Sequence, residues 1–181
     1  MNDIKTISFR LLRKCILLGP KKVFEDVYWL DKVDETNSFN LLQYSLFVER
    51  IYSISIREFI NFYEKHSNNS ECYEFLEIFS KEIKEINTCN EHCTDAIDTI
   101  TKSVINDEST IYSDEYFNEL IENIHILLSI EDYMMKIINY VDEHPNHNTH
   151  YFIDCIKMHN EYHRVINKLM EVTFNKKENE K

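Results

Sequence analysis

An all-helical fold follows from two observations on this 181-residue chain. It contains one glycine and two prolines, too few to supply the tight turns that hairpins and sandwiches need. Its apolar residues, within a 43% hydrophobic composition, recur at helical spacing over most of the length. The expected architecture is a compact multi-helix bundle with an N-terminal basic amphipathic helix and an extra helix at the C-terminus.

The first 22 residues carry Lys5, Arg10, Arg13, Lys14, Lys21 and Lys22 against Asp3 alone, with Ile4, Ile7, Leu11, Leu12 and Leu18 at helical intervals. This predicts a short basic amphipathic helix stopped at Gly19-Pro20. Such a helix suits peripheral contact with an anionic membrane face, with Cys15 as a lipidation candidate, or ordinary packing on the body. Residues 23–143 form the expected main domain. Apolar stretches at Phe24–Leu30, Leu41–Ile51 and Ile56–Tyr63 are separated by the polar segments Asp34–Asn37 and Tyr52–Ser55, which reads as short connected helices. The β-branched residues among Val48, Ile51, Ile54 and Ser55 leave a strand there as the alternative.

After a polar loop at His66–Ser70, a helix is expected over Cys72–Ile86, with Phe75, Leu76, Phe79, Ile83 and Ile86 on one face and an interruption at Thr88–Glu91. Ala96, Ile97, Ile100 and Val104 continue the helical period as far as a loop at Asn106–Ser113. A long helix then begins with Asp114 and Glu115 in its first turn, where carboxylates suit the helix dipole. Its buried stripe is expected to be Phe117, Leu120, Ile121, Ile124, Leu127 and Leu128. Residues 144–181 comprise a break at His144–His150, with Pro145 and three histidines, a last helix over Tyr151–Phe174, and a frayed tail from Asn175.

Composition limits function. A formal charge of −12 makes nonspecific nucleic-acid binding unfavourable. Gly19 stands alone, so a Walker loop, a Rossmann fingerprint and a nucleophile elbow are excluded. Five cysteines, irregularly spaced, read as free thiols in a reducing compartment, and a cytoplasmic location is expected. Cys89 and Cys93 lack the spacing of a zinc knuckle or redox pair. No cofactor and no catalytic residue are nominated. One helical arrangement of Glu85, His92, Glu122, His125, His159 and His163 would resemble a di-iron or hemerythrin-like bundle. Only one ExxH motif is present, however, where such sites use two.

Three segments in order carry a family resemblance. The first runs from Phe47-Val48-Glu49-Arg50-Ile51 through Glu58-Phe59-Ile60-Asn61-Phe62-Tyr63. The second is Glu85-Ile86-Asn87. The third runs from Phe117-Asn118-Glu119-Leu120 through Ile124, Leu127, Glu131, Asp132 and Tyr133. Together they resemble the regulator of G-protein signalling (RGS) domain, particularly its divergent fungal-type members, over about Leu41 to Tyr140, with Trp29 and Leu30 upstream as counterparts of its opening helix. The resemblance implies an RGS-like helical domain that binds the switch regions of a G-protein α subunit and accelerates GTP hydrolysis by favouring the partner's transition-state conformation. It implies partner contacts at Glu58, Phe59, Leu127, Glu131, Asp132 and Met135. The family's usual residues at the second, fourth, fifth and sixth of these are Asn, Asp, Ser and Arg. Phe59 and Met135 therefore count against acceleration more than against the fold. A noncatalytic helical protein-interaction scaffold is the alternative.

Overall fold

The computed structural model describes residues 4–27, 32–104, 114–144 and 150–179. Seven α-helices and no strand occur among the described residues: α1 (Ile4–Leu18), α2 (Pro20–Val27), α3 (Ser38–Lys65), α4 (Ser70–Ile78), α5 (Ser80–Val104), α6 (Asp114–Glu143) and α7 (His150–Asn179). The helix predicted to stop at Gly19-Pro20 does so. Gly19 takes φ +87°, a conformation costly for any residue with a Cβ, and its N–H bonds the Cys15 carbonyl at 2.9 Å. Pro20 then opens α2, where the missing N–H costs nothing.

The 28-residue helix α3 is the axis of the molecule. Asn37 caps it, its Oδ1 accepting from the backbone N–H groups of Phe39 and Asn40 at 2.9 and 3.1 Å. The break expected at Tyr52–Ser55 is absent, as is the strand alternative. Helix α3 runs through because Ser55 Oγ donates to the Tyr52 carbonyl at 2.7 Å, which lets a polar side chain sit in the interior of a buried helix. All six residues from Ile51 to Ile56 are buried.

Helix α7 lies antiparallel along α3. Tyr44 reaches Glu161, Tyr52 reaches His159, and the Phe59 ring meets that of Phe152 at 5.2 Å. Phe152, Cys155, Met158, Tyr162, Val165, Ile166 and Leu169 enter the same core as Leu41, Val48 and Ile56. The last helix is thus an integral wall of the bundle rather than an appendage, and it remains helical to Asn179, past the tail expected to fray from Asn175. Helices α5 and α6 form a second antiparallel pair: Cys89 Sγ lies 3.5 Å from Ser129 Oγ, and Lys136 Nζ lies 3.5 Å from Glu82 Oε1. Asn90 Nδ2 donates to the Ser53 carbonyl at 3.3 Å and fastens this pair to α3.

Two further boundaries differ from the sequence reading. The helix expected over Cys72–Ile86 is split at Phe79, where φ −106° and ψ 19° leave the helical range while its N–H still bonds the Phe75 carbonyl. The bend lets the Phe79 ring pack at 5.0 Å from Phe75 and 5.1 Å from Tyr140. The interruption expected at Thr88–Glu91 is absent, because Thr88 Oγ1 donates to the Lys84 carbonyl within a continuous α5. The loop expected at Asn106–Ser113, most of the His144–His150 break, Trp29 and Leu30 lie outside the described residues. So do the side chains of the stripe from Phe117 to Leu128. The described core of α6 is Ile130, Met134, Ile137 and Val141.

Candidate partner-binding surface

Amphipathic helices that pack their apolar stripe inward leave a charged stripe outward, and on α6 the outward stripe holds three of the six expected contacts. Asp132 is exposed, Met135 is 45% exposed, and Glu131 is half-buried one position before Asp132. Glu131 Oε1 lies 3.6 Å from His163 Nε2 on α7, so its carboxylate is partly engaged. Lys136, next to Met135, pairs with Glu82 and lies 5.8 Å from the centre of the Tyr133 ring.

The remaining expected residues are placed elsewhere. Phe59 is 0% exposed and meets Tyr63, Phe75 and Phe152 in the aromatic core, which corrects its assignment as a partner contact. A side chain with no surface cannot touch a partner, and the helical period places position 59 on the α7-facing side of α3. Glu58 is half-buried beside Phe9, Leu12 and Ile16 of α1 and Asp154 of α7. Asp154 and His163 are nine residues apart on α7, about two and a half turns, so Glu58 and Glu131 flank α7 from opposite sides. They do not form one patch. The side chain of Leu127 lies outside the described residues.

Cys15, expected as a lipidation candidate, is corrected likewise. It is 1% exposed against the body, and burial pushes its thiol up to about 12. A buried, protonated thiol is a poor nucleophile.

Among the described histidines, His159 and His163 neighbour each other, with ring centres 6.4 Å apart, while His92 stands apart. His159 is buried, its Nδ1 sharing a 3.0 Å hydrogen bond with the Tyr52 hydroxyl while its ring tilts against Tyr52 at 5.4 Å. Desolvation lowers its pKa below 6.5, and His163 adds to that against the opposing pull of Glu131. His92 is exposed, with Nδ1 at 3.0 Å from the Thr88 carbonyl of its own helix. Among the described residues no three His, Cys, Asp or Glu side chains gather as metal ligands, and the side chain of His125 lies outside them.

Two polar features escaped sequence reasoning. Arg164 binds Glu35 through Nη1 and Nη2 at 3.2 and 3.0 Å and Glu161 through Nε and Nη2 at 3.0 and 2.8 Å, while Lys21 Nζ approaches Glu35 at 3.1 Å. The hydrogen bond from Arg164 is the leading cause that holds the Glu35 carboxyl below its usual range. Glu49 is buried within α3 with Oε1 lacking a hydrogen-bond partner, and burial pushes its carboxyl up to about 8. Arg164 and Glu35, 129 positions apart, leave no mark in sequence spacing, and the burial of Glu49 has no local signal. No family model, curated protein or solved structure matches this chain.

Proposed function

We propose that this chain is a helical protein-binding domain that works by recognition, with the outer surface of α6 as its partner-facing element. The observation that supports this reading is how the chemically able groups are divided. His159, Tyr52, Cys155 and Glu49 are committed to the packed interior, whereas Asp132 and Met135 stand outward from a 30-residue helix.

The sequence resemblance names a G-protein α subunit as the partner class. Acceleration of its GTPase would require groups that hold the switch regions in the transition-state conformation. Phe59 offers no side chain to a partner and Met135 offers no cation, so binding without acceleration is the favoured form of this reading.

The experiment is affinity of the purified chain for a panel of α subunits, each loaded with GDP alone and with GDP plus aluminium fluoride, followed by single-turnover GTP hydrolysis. The expected result for binding without acceleration is association with no selective preference for the fluoride form, weakened by Asp132→Arg, with hydrolysis unchanged. Faster hydrolysis would establish the catalytic form of the reading. Absence of binding in both states would remove the α subunit as partner.

A further inference from the structure

Of the two roles the sequence leaves open for helix α1, membrane contact or packing on the body, its apolar face takes the second: Leu12 and Cys15 are buried, and Leu11 and Ile16 pack against the core. The opposite face is the unusual one. Arg10, Arg13, Lys14, Leu17 and Leu18 fall at i, i+3, i+4, i+7 and i+8 and all are exposed, so three cations and then two leucines share one outward stripe. Leu17 is 80% exposed and Leu18 is 59% exposed, side by side at the end of α1 where Gly19 turns the chain.

Cations continue around this corner. Leu18 shares a surface depression with Lys21, Lys22, Lys32 and Arg164, and with the acids Glu25 and Glu161. Lys21, Lys22 and Arg164 are engaged with Glu35, Asp26 and the Glu35–Glu161 pair. Arg10, Lys14 and Lys32 have no ion-pair partner among the described residues, and Arg13 lies over the Phe9 ring at 5.4 Å. Arg13 also lines the pocket that holds Glu58 and Asp154, so its charge is partly offset, but the outward stripe of α1 itself carries three cations and no acid on a chain of net charge −12.

We infer that the α1–α2 corner is a docking site for an anionic lipid surface, with Leu17 and Leu18 entering the headgroup boundary and Arg10, Arg13 and Lys14 lying over the lipid phosphates. Charge complementarity selects this occupant. Two adjacent exposed leucines at a helix end present a small apolar tip that can enter a bilayer interface, while basic residues one and two turns behind them reach its negative charge. Docking uses the outward face, so the packing of Leu12 and Cys15 is undisturbed and no lipid on the Cys15 thiol is needed. This site stands independently of the α6 partner surface.

The test is flotation of the full chain with phosphatidylcholine vesicles and with vesicles containing phosphatidylserine as well. The expected result is flotation with the serine-lipid vesicles only, released by salt. Leu17→Ser with Leu18→Ser should abolish it, and Lys14→Gln should reduce it roughly fivefold. All these side chains are exposed, so the thermal melt of each variant should match that of the parent. Failure to float with either vesicle, or flotation unchanged in the leucine double variant, would overturn the inference. So would a dimer in sedimentation that Leu17→Ser dissociates, since a second copy would then be the occupant.

Discussion

The Tyr44 hydroxyl donates to Glu161 Oε1 at 2.8 Å, joining the first third of the chain to its last helix. Burial, reinforced by this bond to Glu161, drives the Tyr44 hydroxyl well above the usual phenol range, so it serves only as a donor. The same Glu161 oxygen accepts from Arg164, which also grips Glu35 in the segment before α3. This cluster fixes the register of α7 on α3. Tyr44→Phe should lower stability by about 2 kcal/mol, the worth of a hydrogen bond to a charged group. Arg164→Ala should cost about 1 kcal/mol, since solvent screens much of a half-exposed pair. Urea unfolding of both variants measures this.

Glu49 sets an alkaline limit. Its carboxyl rises from an ordinary 4.5 to about 8 on burial, so the folded state holds a proton that the unfolded chain releases. Folding stability is therefore unpenalised below 4.5, falls as pH climbs toward 8, and levels off beyond, with a slope of about 1.4 kcal/mol per pH unit inside that window. Glu49→Gln should flatten the slope, as urea midpoints at pH 5 and pH 8 will reveal.

His159 sets an opposing acid limit. Its pKa is depressed mainly by desolvation, so its contribution is complete above 6.5 and is lost as pH falls through the depressed folded value. In His159→Leu, acid destabilisation should be shallower than in the parent. Thermal melts from pH 7 downward measure the difference.

Phe59→Ala should cost about 3–5 kcal/mol, because the ring it removes contacts Tyr63, Phe75 and Phe152 in a closed core. A loss below 1 kcal/mol would mean that the side chain is accessible after all. In the native protein Cys15 and Cys155, both pushed up to about 12 by burial, should resist a thiol reagent that labels the half-buried Cys89.

Much of this fold was legible where a local rule acts alone. Gly19-Pro20 marked the α1–α2 corner, the apolar run with a polar loop at His66–Ser70 separated α3 from α4, and Asp114 opened α6. The rules failed where tertiary packing overrode them. Ser53 and Ser55 resembled a polar linker, yet both sit in the middle of α3, with Asn90 bonding the Ser53 carbonyl from α5. Phe79 looked like one more core position in a helix, but its ring is placed by Tyr140, sixty residues away, and the helix bends to allow it. The candidate surface was legible in part. Asp132 and Met135 are outward as a helical stripe requires, whereas Phe59 and Cys15 were interior because the faces of α3 and α1 are chosen by α7 and by the body, which sequence spacing does not identify.

Recognition of a protein partner by the outer face of α6 is the proposal on which the functional reading rests. The most direct measurement is equilibrium binding to aluminium fluoride-loaded α subunits by the parent chain and by Asp132→Arg with Met135→Glu, a pair of exposed substitutions that should leave the thermal melt unchanged. The expected result is saturable binding by the parent and at least a tenfold weaker affinity in the variant, roughly 1.4 kcal/mol. Equal affinity of the two proteins, or no binding by the parent, would contradict it.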